Sequence, residues 1–138
     1  MPARDFYHNA VRNGLAKDGW KITHDPFVLK WGTIDLFVDL GAERLLAAET
    51  DARKIAVEVK GFTGPSDMVE LERALGQYVL NHDVLAERDP NRVPYLAVSA
   101  QVMSELFDEP IGRLVLRNQR ARLVIFDAKE EVILRWIP

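Results

Sequence analysis

Residues 54–60 read Lys-Ile-Ala-Val-Glu-Val-Lys, an alternation with period two that suits a β-strand and no helix. Ile55, Val57 and Val59 leave such a strand on one face, and Lys54, Ala56, Glu58 and Lys60 leave it on the other. An aliphatic face of that kind has to be buried against a second layer. Residues 93–98 (Val-Pro-Tyr-Leu-Ala-Val) do not alternate, and a near-continuous apolar run of strand length is the pattern of a strand covered on both faces. Pro94 weakens that reading near its start.

Helices are available to cover the sheet. Asp5 can cap a helix over residues 5–18, whose apolar positions Tyr7, Ala10, Val11 and Leu15 follow helical spacing and which Lys17-Asp18-Gly19 ends. The break at residues 61–66 precedes a long helix with Asp67 and Glu70 at capping-box spacing and an apolar stripe of Met68, Leu71, Leu75, Tyr78, Val79 and Leu85. Val102, Leu106 and Phe107 suggest a third helix. Residues 20–30, broken by Pro26, suit an edge strand or an extended entry segment, and a further strand is expected at 33–39, where Ile34, Leu36 and Val38 alternate with Thr33, Asp35, Phe37 and Asp39. Residues 44–50 suit another strand or an extension before a turn at 51–53, and 122–126 with 132–137 suit a hairpin across 127–130. The expected fold is one α/β domain over residues 1–138, a mixed sheet flanked by helices.

Composition excludes several chemistries. The 138 residues include no cysteine, so disulfides, zinc–thiolate sites, iron–sulfur clusters and a cysteine nucleophile are ruled out. No apolar run approaches the roughly 18 residues of a membrane span, and Met1-Pro2-Ala3-Arg4-Asp5 has no basic-then-apolar leader, so a soluble cytoplasmic protein is expected. The formal charge of −3 argues against holding nucleic acid by bulk positive charge. Any such function has to rest on a local patch or on metal ions.

Glu58 and Lys60, two apart on one strand, project together about 6.5–7 Å from each other. If Asp39 lies on the neighbouring strand, its carboxylate joins that of Glu58 in an oxygen-rich site for a hard divalent cation, Mg or Mn. Lys60 then stands where it can orient or deprotonate a water, or neutralise charge on a phosphate. Asp35 shares the strand face with Asp39 and is a rival for the first acid. The plainer alternative is a solvated strand face whose exposed ion pair is worth about 0–1 kcal/mol.

Arg113, Arg117, Arg120 and Arg122 fall within ten residues that contain no acid, enough to touch phosphates of a nucleic acid and too few to bind DNA strongly alone. The alternative is a solvated surface with arginine stems covering the core. His8, His24 and His82 are too dispersed for a zinc spacing and suit caps, surface or packing. Glu43 and Glu49 suit solvated hairpin charges better than site acids, Tyr78 suits the core, and Ser66 and Ser99 suit helix caps.

Asp39 followed by Glu58-Val59-Lys60, with this element order, resembles the PD-(D/E)xK nuclease superfamily, whose restriction-endonuclease-like core is a helix, a three-stranded meander, a helix and a strand. Longer strings resemble the XisH family, the fdxN element excision controlling factors known from cyanobacteria. They are Asp5-Phe6-Tyr7-His8-Asn9-Ala10-Val11, Lys17-Asp18-Gly19-Trp20-Lys21-Ile22-Thr23-His24-Asp25-Pro26, Val38-Asp39-Leu40-Gly41-Ala42-Glu43 through Ala47-Ala48-Glu49, residues 54–60, and Ala74-Leu75-Gly76-Gln77-Tyr78.

The resemblance implies a role in programmed excision of a DNA element during heterocyst development, beside a site-specific recombinase and a small second factor, XisI. By position it puts the superfamily's first acid on Asp39, its second on Glu58 and its lysine on Lys60; Gln77 resembles the glutamine of RecB-like branches, which can bind DNA or support the metal site. Val38 stands where the superfamily has proline, and Asp39 is preferred to Asp35 because it opens the family-like Asp-Leu-Gly-Ala-Glu string. A metal-dependent DNA endonuclease is one expectation. The other is a non-catalytic DNA-binding or protein-docking subunit of a recombination complex. Two strand scissions need two sites, which makes a homodimer a further expectation.

Overall fold

The computed structural model describes residues 3–45 and 52–138. Helix α1 (Ala3–Lys17) stops where Gly19 adopts φ +91°. There the N–H of Trp20 donates to the Leu15 carbonyl at 2.9 Å and that of Gly19 to the Ala16 carbonyl at 3.1 Å, which satisfies two of the helix's last carbonyls. Strand β1 (Lys21–His24) follows, then β2 (Phe27–Trp31), β3 (Ile34–Val38), β4 (Leu40–Arg44) and β5 (Arg53–Val59). Beyond them lie α2 (Asp67–Arg88), β6 (Arg92–Ser99), α3 (Ala100–Val102) with a π-helical turn (Met103–Phe107), α4 (Pro110–Arg117), β7 (Leu123–Asp127) and β8 (Val132–Ile137).

Among the described residues, six strands form one mixed sheet in the order β1-β4-β5-β6-β7-β8. β5, β6 and β7 run parallel, and the outer joins are antiparallel. Parallel neighbours need crossovers. Helix α2 supplies the first and the α3–α4 region the second. One face of the sheet packs Leu96, Val98, Leu123 and Ile125 against Leu71, Ala74, Tyr78 and Phe107. The opposite face packs Ile55, Val57, Ala97, Val124 and Phe126 against Val11 and Leu15 of α1. Strand β6 is therefore covered on both sides, as its unbroken apolar run requires. The mixed sheet flanked by helices is the expected fold class.

Residues 20–30 divide at Pro26 between two sheets: β1 edges the main sheet, while β2 pairs only with β3 in a separate hairpin. That hairpin lays Phe27, Leu29 and Val38 on Ala56 and on Val84 and Leu85 of α2. Since it leaves the main sheet, the expected apolar face of 33–39 is incompletely covered and Ile34 is exposed, as is Phe37 on the other face. On α2 the buried stripe runs through Leu71, Ala74, Tyr78, Asn81, Val84 and Leu85, so Met68 and Val79 face out. Alanine and a buried asparagine form part of that seam, and an apolar count of large residues overlooks both. Ser66, and not Asp67, caps α2 by accepting from the Val69 N–H at 3.3 Å; Ser99 likewise accepts from Val102 at 3.2 Å.

Helix α4 was not expected as a separate element. It packs so closely on the π-helical turn that a Cβ on Gly112 would overlap the backbone of Leu106 and Phe107. Of the strand or extension expected at 44–50, only Arg44 is in a strand, at the end of β4; residues 46–50, with Glu49, lie outside the described residues.

Candidate functional site

The antiparallel register of β4 on β5 pairs Leu40 with Val57 and Gly41 with Ala56. Continued by one residue, it sets Asp39 across from Glu58. Asp39 lies in the bend between β3 and β4, where the hairpin departs from the main sheet. Two reciprocal hydrogen bonds hold it there: the Val59 N–H donates to Asp39 Oδ2 at 2.7 Å, and the Asp39 main-chain N–H donates to the Glu58 carboxyl. The two carboxyl groups also hydrogen-bond to each other, which requires a proton between them. Burial first, and then the adjacent Asp39 charge, push the Glu58 pKa up to about 8, against a smaller lowering by Lys60. At neutral pH the pair therefore lacks one negative charge that two separate carboxylates would carry.

Lys60 follows the last residue of β5, and its N–H donates to the Ala97 carbonyl at 3.0 Å, which keeps the chain aligned with β6 past the strand's end. Asp39, Glu58 and Lys60 open into a cleft of about 520 Å³. Gln77 and Glu70, seven apart and so on one face of α2, form one wall of it. The turn after β5 forms another, where Phe62 sits at φ +52° with its ring edge-to-face on Phe107 at 6.4 Å. Left-handed backbone at a bulky residue is strained, and strain of this kind gathers at functional sites.

The structure thus brings Asp39, Glu58, Lys60 and Gln77 to one cleft, and it leaves Asp35 out. Asp35 pairs across the hairpin with Lys30 and is exposed. The arginines do not join the cleft either. Arg120 and Arg122 precede β7, which runs parallel to β6 and β5, so they lie at the opposite end of those strands from Glu58. Arg113 and Arg117 are exposed on α4, and Arg122 donates to the Tyr78 hydroxyl at 3.4 Å.

Sequence reading missed Tyr7, His8 and Glu70 as lining residues. His8 contacts Asp25 Oδ1 at 2.8 Å, and Arg12 bonds the other oxygen of Asp25. The helical spacing of α1 placed Tyr7 and Ala10 toward the sheet, but no local signal shows that α1 reaches the end of β5. His24 packs edge-on to Phe27 at 4.8 Å, and His82 stacks on Tyr78 at 6.3 Å.

Among the described residues no group of three or more histidine and acidic side chains gathers as a ready-made metal cage. The donor set does fit a hard cation of the magnesium type, which commonly takes one or two carboxylates and completes its shell with water and phosphate oxygens. A cation would also supply the positive charge whose lack keeps a proton on the buried pair.

The fold and cleft define a mixed α/β protein with an acid pair and a lysine at the end of its first parallel strand. The chain belongs to the XisH family: the family model described as XisH protein matches residues 1–134. An XisH family protein from Nostoc punctiforme PCC 73102 superposes with a TM-score of 0.88 at 36% identity, over 97% of this chain and 100% of that one. An fdxN element excision controlling factor protein from Anabaena variabilis superposes with a TM-score of 0.87 at 34% identity, over 98% and 100%. No curated protein matches this chain. No helix among the described residues is long and apolar enough to cross a membrane.

Proposed function

We propose that this protein supports site-specific DNA excision as a divalent-metal-dependent, endonuclease-like factor acting through the Asp39–Glu58–Lys60 cleft. The observation that carries the reading is the cross-strand pairing of Asp39 with Glu58, with Lys60 on the same strand face as Glu58. A helix, the β1–β4–β5 meander, a second helix and a parallel strand occur in that order, which supports the restriction-endonuclease-like reading of the core. The relative from Anabaena variabilis described as an excision controlling factor supports the biological setting.

Asp39 and Glu58 would hold the ion, Mg or Mn, which when bound supplies a Lewis acid for a phosphodiester oxygen. The Val59 N–H fixes the Asp39 carboxylate, so the acid's orientation is set before any ligand arrives. Lys60 orients the attacking water or neutralises charge that develops on the phosphate. Gln77 offers an amide donor from α2 to a phosphate or a metal-bound water. DNA is the substrate, with a site-specific recombinase and an XisI-like small protein as partners and a homodimer as the unit that cuts both strands.

Purified protein should nick supercoiled DNA in manganese, with activity abolished in Glu58→Ala and reduced about 10²-fold or more in Lys60→Ala. Equal nicking by all three proteins marks a contaminating nuclease and refutes the reading.

A second reading is favoured by the proton held on the acid pair: a non-catalytic DNA-binding or docking subunit that keeps the cleft for a structural purpose. It requires no cleavage with any metal at pH 7 or at pH 9, where Glu58 is ionised, together with excision that survives Lys60→Ala.

A further inference from the structure

The far end of β5 carries a second concavity, also about 520 Å³, on different chemistry. Arg44 and Arg53 face each other across the β4–β5 ladder on the face that carries Ile55, whereas Lys54, next along β5, projects from the opposite face. The described residues of the wall include these three cations and no acid. Its apolar part combines Ile55 and Val93 with three aromatic rings. Trp136 lies tilted against Trp20 with centroids 5.6 Å apart and edge-to-face with Tyr95 at 5.0 Å. Trp20 is 9% exposed, and its buried Nε1 has no hydrogen-bond acceptor among the described residues. Indole N–H groups usually find a partner when buried. The Arg44–Asp18 ion pair spans 3.9 Å, longer than a hydrogen bond, so it does not saturate the guanidinium.

From this cavity we infer a nucleotide site, for a phosphate-bearing heteroaromatic group that is either a free nucleotide or the terminal nucleotide of a single strand. Arg44 meets the phosphate through its planar fork of donors, with Arg53 beside it on the same strand face. The base lies against the aromatic wall, where stacking tolerates any base. The volume falls within the range of small-ligand pockets. The site lies at the end of β5 away from Glu58 and is independent of the proposed cleavage chemistry.

The full chain carrying Trp31→Phe, which removes the exposed hairpin indole, is titrated with deoxyadenosine monophosphate, inorganic phosphate and a 5′-phosphorylated single-stranded oligothymidine. Tryptophan fluorescence and calorimetry follow binding. The expected result is saturable quenching by the nucleotide, at least tenfold weaker for inorganic phosphate and in Arg44→Glu, and unchanged in Glu58→Gln. Arg44→Gln, which avoids charge reversal, should weaken binding in the same direction, and thermal melts confirm folding of each variant. Preference for the nucleotide marks a free ligand and preference for the oligonucleotide a strand end; both support the site. No saturable response to either, phosphate binding as tight as nucleotide, or equal binding by folded Arg44→Glu would overturn it.

Discussion

The two ends of β5 apply electrostatics in opposite ways. At its C-terminal end two acids share a proton in a half-buried cleft, and burial has cost Glu58 its charge at neutral pH. At its N-terminal end Arg53 lies beside Arg44 against indole and phenol rings. Guanidinium keeps its charge against an apolar wall, because its pKa is far from neutrality. Ile55, Ala56 and Val57 between the two ends are buried. One seven-residue strand therefore presents a proton-sensitive site at one end and a permanently cationic one at the other. A net charge of −3 describes neither end.

The most severe way to break the comparison is to remove what both ends share. Phe126 is fully buried beneath α1, and Phe126→Ala should cost about 3–5 kcal/mol in urea unfolding and weaken both sites together. Gly112→Ala should cost about 1–3 kcal/mol through overpacking on the π-helical turn, while leaving metal and nucleotide binding intact in the folded fraction.

A pH series sharpens the contrast. In the folded chain Glu58 holds its proton up to about pH 8, whereas in the unfolded chain it ionises near 4.5. Between those values the folded state binds more protons, so its stability falls as pH rises from about 4.5 to 8. Glu58→Gln should remove that decline and melt above the native chain at pH 8, with the gap closing toward pH 4.5. Lys54→Gln should retain the decline. A native melting curve without a pH slope in this window contradicts the coupled acid pair. The smallest effect belongs to the Arg44–Asp18 pair, whose side chains are both about two-fifths exposed: Asp18→Asn should change stability by about 1 kcal/mol or less.

How much of this was readable in the sequence depended on the range of the interaction. Period-two alternation at 54–60 and the apolar run at 93–98 reported their own burial, because each strand's neighbours impose a local pattern. The Gly19 stop of α1 and the serine caps were readable for the same reason. Glu58 and Lys60 are two residues apart, so their common face was a local inference, and Asp39 needed only the assumption of a neighbouring strand. The departure of the β2–β3 hairpin from the sheet leaves no such pattern, which is why the alternation at 33–39 showed a strand but not that Ile34 on its apolar face is exposed. Glu70 followed the same course. As a helix-start acid it satisfied a capping rule, and nothing local showed that the first turn of α2 faces the end of β5. The second concavity assembles Trp20, Tyr95 and Trp136 from segments far apart in the chain, beyond the reach of any spacing rule.

The central claim is that Asp39 and Glu58 together hold a divalent cation. Anomalous diffraction from crystals soaked in manganese at pH 8.5, where Glu58 is ionised in most molecules, tests it most directly. The account predicts one strong peak bridging the two carboxylates, absent in Glu58→Gln crystals. A saturated soak with no peak between Asp39 and Glu58 would contradict it.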